Sequence, residues 1–188
     1  TYYAEISQID NLLADSSAGL TPVLQGFFNG VQQVAANPSL LSARQSMIAS
    51  AETLVSRFNS LDVRLDELAN DVNGRIEDTV SSINSYANQI AELNQRIVIA
   101  ESSYGQPAND LRDQRDLLVN DLNKLIKVST TANSDDGISV FVGSGQPLVI
   151  GTRGMVMTAN PSAADSAKMA IGFETVSGSS VELPDSLV

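Results

Sequence analysis

The order of apolar and polar positions divides the chain into a long helical part followed by a shorter part of strands. Its clearest signal surrounds the stretch Tyr86 to Ile126. Ile83, Ala87, Ile90, Leu93 or Asn94, and Ile97 recur in alternating steps of three and four, which places them on one helix face. Beyond a break, Leu111, Leu118, Leu122 and Leu125 form a second such stripe. Between them Ser102, Ser103, Gly105 and Pro107 supply free φ, a missing donor and polar competition, which end one helix and begin another. Neither stripe is wide enough to be stable alone, so the pattern predicts an antiparallel helical hairpin whose stripes cover each other.

Upstream, Tyr3, Ile6, Ile9 or Asp10, and Leu13 predict a short amphipathic helix over 2–14. Thr21 and Pro22 read as N-cap and first residue of a helix over 21–36 with Leu24, Phe27, Phe28, Val31 and Val34 inward, stopping at Asn37. Asn37 and Pro38 restart a helix that nothing clearly stops before Ala100. At 1.5 Å per residue, such a helix is roughly 90 Å long and needs neighbours to support it. Ala51, Leu54, Phe58, Leu61, Leu65, Leu68 and Val72 form a heptad seam, and the steps of four from Val72 to Ile76 to Val80 insert a stutter around Asn73 and Gly74. Local unwinding or a bend is expected there, with a break into two helices at Gly74 as the alternative.

After Ile126 the period changes to two. Strands are expected at 127–130, 138–142, 148–150 and 155–157, turned by Asp135, Asp136 and Gly137 and by Gly143, Ser144 and Gly145 into a small antiparallel meander. Residues 159–167 read as a loop and 168–173 as a further strand, and the tail from Ser177 shows no period. The fold class is therefore mainly α with a smaller β part: an elongated helical rod domain over 1–126 (helices about 2–14, 21–36, 38–100 and 108–126) with a β region over 127–188 at one end.

Composition narrows the chemistry. The chain carries 22 acidic and 11 basic residues, a net charge of −11, and nine of the basic residues lie among acids between Arg44 and Lys127. That balance argues against a nucleic-acid partner, which needs a basic face. With no Cys, His or Trp, the chain has no thiolate or imidazole metal site, no Cys nucleophile and no His base. No run approaches 18 apolar residues, and TYYAEISQID lacks the features of a Sec signal peptide, so no membrane partner is expected. Thr1 in place of Met and an unpunctuated end at Leu187 and Val188 suggest an internal fragment.

Candidate sites dissolve on inspection. Asn133, Asp135 and Gly137 have the start of a calcium loop, but Ser144 stands where a bidentate Glu belongs, and a hairpin turn explains them better. The Gly143–Gly145 turn is followed by a strand and lacks the helix N-terminus that holds phosphate. Asp110, Asp113, Arg115 and Asp116 beside Leu111, Leu117 and Leu118 read as solvated or ion-paired flanks of a helix. Phe27 and Phe28 read as core before binding patch. No catalytic residue, cofactor or metal is expected, and the chain reads as no enzyme.

Four stretches together resemble a known family: PVLQGFFNGVQQVAANPSLLSARQSMIASAETLVSRFNSL at 22–61, VSSINSYANQIAELNQRI at 80–97, QPANDLRDQRDLLVNDLNKLIKVS at 106–129 and DDGISVFVGSGQPLVIG at 135–151. They are similar to the bacterial flagellar hook-associated protein 1 (FlgK) family, with Arg112 standing where the family often has Leu. The resemblance spans about two-thirds of the chain and fades after about Thr158. It implies a structural subunit of the hook–filament junction, exported to the extracellular flagellum by the flagellar secretion system without a Sec signal. The implied partners are neighbouring copies in a ring, the hook protein and the next junction protein, while the isolated fragment is compatible with a monomer. Candidates for packing against neighbours are Asn94, Asn109, Asp113, Arg115 and Asp116. The competing readings are a coiled-coil signalling module and a flagellin-like filament or adhesin module; the β meander and its GSGQPLVIG turn discriminate against the first.

Overall fold

A computed structural model of the chain describes residues 7, 19–134, 136–143, 145–175 and 178–183. Among the described residues three longer helices, α1 (Leu20–Ala36), α2 (Leu41–Tyr104) and α3 (Asn109–Leu125), precede seven strands. These are β1 (Val128–Ala132), β2 (Ile138–Val142), β3 (Gln146–Ile150), β4 (Arg153–Gly154), β5 (Met157–Pro161), β6 (Met169–Glu174) and β7 (Ser180–Glu182). The protein is thus mainly α with a smaller antiparallel β part. The helix expected over 2–14 lies outside the described residues apart from Ser7.

Two compact units divide the chain, Thr1–Leu68 and Ala69–Val188. In the first, α1 approaches α2 most closely at Gly30, the buried residue of α1. A Cβ there would stand 3.0 Å from Ser50 Oγ and 3.1 Å from the Met47 Cα, so the missing side chain sets the helix separation. Leu24, Phe27 and Val34 are half-buried as expected. Phe28 and Val31 are not inward: they are 59% and 38% exposed, because the closest contact turns Gly30's side of α1 toward α2. The cap also differs. Gly19 occupies the N-cap position without a side-chain bond, which moves Thr21 and Pro22 inside the first turn. Asn37 ends α1, its N–H donating to the Gln33 carbonyl at 3.1 Å. Asn37 and Pro38 then belong to a turn closed by Leu40 N–H onto the Asn37 carbonyl, so α2 begins at Leu41 and runs on past Ala100 to Tyr104. Of the expected seam, Leu61 is buried and Leu54 and Leu68 half-buried, whereas Phe58 and Leu65 are exposed. The helix does not break at Gly74, in keeping with a cost of only about 1 kcal/mol for an interior glycine.

In the second unit the hairpin forms as the two stripes require. Val80, Ile83, Ala87, Ile90 and Ala91 of α2 and Leu122 of α3 share one core with Val140, Val142, Leu148, Val149 and Met157 of the strands. Each of the Val, Leu, Ile and Met side chains contributes roughly 1.5–3 kcal/mol when fully buried. Leu118 is half-buried against this core, but Leu125, next to the helix end at Ile126, is exposed. The β part is two sheets, not a single meander: β1-β2-β3-β4 and β5-β6-β7, all antiparallel. Val128 pairs with Val142 and Ala132 with Ile138, with a register shift in β2 between Val140 and Phe141. Positive φ at Gly143 and Gly145 closes the β2–β3 turn as their residue type allows. Four expectations fail here. Lys127 precedes the first strand, Met155 and Val156 lie between β4 and β5 instead of in a strand over 155–157, residues 159–161 extend β5 where a loop was expected, and the tail contains β7, too short at three residues to show a period.

The α1 contact predicts opposite outcomes for two glycines of one helix. Gly26 has nothing within 4 Å of a built Cβ. Gly26→Ala should raise stability by about 0.5–1 kcal/mol. Gly30→Val should lower it by roughly 1–3 kcal/mol through overpacking. Parallel thermal melts check this, and equal shifts contradict it.

Candidate functional site

A densely bonded polar group of the second unit sits where the hairpin meets the four-stranded sheet. Asn94 follows Leu93 on the α2 stripe and is fully buried. Its Nδ2 donates to the Ile138 carbonyl at 2.7 Å and to the Gly151 carbonyl at 2.6 Å. Its Oδ1 accepts from the Ile138 N–H at 3.2 Å and from Arg115 Nη1 at 3.1 Å. One amide therefore uses both donors and both acceptor sites, the condition under which a buried polar group is tolerated. Asn84, ten positions earlier, repeats the device on β5, accepting from the Met157 N–H at 2.8 Å and donating to the Met157 carbonyl at 2.9 Å. Between them Gly154 of β4 comes so close to α2 that a Cβ would stand 2.6 Å from Asn88 Oδ1.

Arg115 comes from α3 and is almost fully buried. Besides Asn94 it donates to the Asp136 carbonyl at 3.2 Å, and its Nε lies 3.9 Å from Asp116 Oδ1. Burial lowers the affinity of its guanidinium for the proton, opposed by the Asp116 charge. Arg112 grips Glu101 with two bonds, Nε to Oε1 at 2.9 Å and Nη2 to Oε2 at 2.8 Å, and reaches Asp136 Oδ1 at 3.1 Å. Glu101 also accepts the Ala108 N–H at 2.8 Å, so its carboxylate closes the α2–α3 loop in place of a side-chain cap on α3. The Arg112 hydrogen bonds, and then the Ala108 N–H, hold its carboxyl below the ordinary value of 4.5.

Of the five candidates from sequence, the structure brings Asn94 and Arg115 together inside the unit. Asn109, Asp113 and Asp116 lie exposed on α3. Sequence reasoning missed Asn84, Glu101 and Arg112. The signal for Asn84 was its adjacency to Ile83 on the buried stripe; for Glu101 and Arg112 it was the placement of opposite charges on the two sides of the predicted loop. Among the described residues no group of three or more His, Cys, Asp or Glu could hold a metal ion, and no helix is long and apolar enough to cross a membrane.

A helical hairpin on which amide side chains hang two small sheets defines a structural helical-domain segment, with its polar groups spent on architecture. Residues 6–188 match the family described as the flagellar hook-associated protein FlgK helical domain. The chain is 36% identical to flagellar hook-associated protein 1 of Salmonella typhimurium over 189 residues, covering all of this chain and 34% of that protein. It is 33% identical to the Escherichia coli K12 protein of that name over 187 residues, again 34% of its length. The solved structure of the flagellar hook junction protein FlgK from Burkholderia pseudomallei superposes with a TM-score of 0.85 at 36% identity, over 98% of this chain and 33% of that one. This chain belongs to the FlgK family. It spans about a third of the length of the relatives it matches.

Asn94→Ala should cost about 3 kcal/mol, because it strands the Ile138 and Gly151 carbonyls, the Ile138 N–H and the Arg115 guanidinium in a buried site. Denaturant unfolding measures this, and a loss under 1 kcal/mol contradicts the four-way accounting. Glu101 adds a pH dependence. Its folded pKa lies below the unfolded value, so its contribution is fully present above pH 4.5 and is lost as pH falls through the lower folded value. Glu101→Gln should lower the melting temperature at neutral pH and flatten the acid limb of the stability curve; an unchanged acid limb would count against the clamp.

Proposed function

We propose that this chain is the helical-domain segment of a structural subunit at the junction between the flagellar hook and the filament, and that its role is packing and not catalysis. The observation that carries this reading is the match of almost the whole chain to the FlgK helical domain, together with the likeness to a hook junction protein at 36% identity. The polar chemistry agrees, since Asn94, Glu101 and Arg112, and Arg115 through its Nη1, are engaged in internal bonds. Neighbouring copies in a ring, the hook protein and the next junction protein are the partners, and the exposed polar residues Asn109, Asp113 and Asp116 of α3 are the outward contacts. Asn94 and Arg115 act indirectly, by fixing α3 on its sheet. The subunit works outside the cell, delivered by the flagellar secretion system.

Immunogold labelling of flagella isolated from the encoding bacterium, with antibodies raised against this chain, tests the reading. A single gold cluster at the hook–filament boundary is expected. Label along the whole filament would indicate a flagellin-like subunit, and flagella without label would favour a signalling rod.

A further inference from the structure

The stutter at Asn73 and Gly74 falls in a thinly covered part of α2. Between Leu61 and Val80 no residue of this helix is buried; Leu68, Val72, Asn73, Ile76 and Thr79 are half-buried and the rest are exposed. Within that stretch Asn70, Asp71, Val72, Asn73 and Gly74 follow one another, five consecutive residues of weak helix propensity, and Gly74 has nothing within 4 Å of a built Cβ. Asp62 and Asp66, and Glu67 and Asp71, set like charges one turn apart. Just beyond, Thr79 Oγ1 donates to the Arg75 carbonyl at 2.7 Å and Ser82 Oγ to the Asp78 carbonyl at 2.9 Å, back-bonds that compete with the helix ladder.

This stretch is tied to the β part at Asn73. Asn73 Nδ2 donates to the Ala167 carbonyl at 2.9 Å, in the loop between β5 and β6. That loop is internally braced by Ser162 N–H to the Lys168 carbonyl at 2.8 Å and Ala167 N–H to Asp165 Oδ1 at 3.1 Å, so it is held as a unit. We propose that α2 carries an opening point at residues 70–74, and that the Asn73–Ala167 bond couples closure of this point to docking of the β5–β6 loop. Helix hydrogen bonds break and reform there while the core turns from Val80 onward stay intact, because local opening follows the scarcity of buried contacts.

Residue-resolved amide hydrogen exchange on the whole chain tests this. Amides of 70–78 should exchange at least about tenfold faster than those of 83–97. Gly74→Ala should slow 70–78 about fivefold by raising helix propensity. Asn73→Ser, which removes the amide donor at nearly equal helix propensity, should accelerate 70–78 and 162–168 together and leave 83–97 unchanged. Equal protection of 70–78 and 83–97 overturns the opening point. An Asn73→Ser effect confined to 162–168, or spread evenly through α2, overturns the coupling.

Discussion

The second unit depends on one side-chain amide meeting main-chain groups inside a hydrophobic contact. A helix and a sheet edge cannot pair backbone to backbone, because the helix has already spent its N–H and C=O groups on itself. Asn94 resolves this by offering α2 the donor and acceptor geometry of a peptide unit, with which the start of β2 and the β3–β4 turn then pair. Apolar burial supplies most of the stabilisation around it but is non-directional. The amide fixes which residue of the sheet sits over which turn of the helix.

The charged residues carry the same logic to the hairpin tip. Asp136 has a left-handed backbone, φ 61°, unusual for a residue other than glycine. Its carbonyl is held by Arg115 and its carboxylate by Arg112, so the strained turn is determined from two sides by one helix. Glu101 draws Arg112 and the start of α3 together, and loop, helix and turn form one network instead of three exposed ends.

The long helices and the hairpin were legible in sequence because their stripes are long and strictly periodic, and the hairpin core from Ile83 to Ile97 lies where the steps of three and four put it. Phe58 and Leu65 lie on the periodic seam yet are exposed, and the other failures fall where periodicity cannot speak. Phe28 and Val31 seemed inward because they are apolar, but a buried glycine, which carries no hydropathy signal, decides which side of α1 is covered. The division into two sheets falls just after Gly154, whose close approach to α2 is a non-local contact that carries no hydropathy signal. Asn94 and Arg115 were picked out as polar residues of consequence, yet their burial could not be read from their type; it follows from partners 44 and 21 residues away.

The order of the contacts has a consequence for chain length. The β part retraces α2 backwards: Gly151 meets Asn94, Gly154 meets Asn88, Met157 meets Asn84 and the Ala167 carbonyl meets Asn73. From Asn84 to Asn94 the helix climbs about 15 Å. The six steps from Gly151 to Met157 span at most about 20 Å when fully extended. That connection is nearly taut, so removing two residues from it would force one asparagine to release its strand. Between Met157 and Ala167 the chain has slack over a similar rise. A change of length is thus easier to absorb on the β5–β6 side, and the segment between the two clamps acts as a ruler.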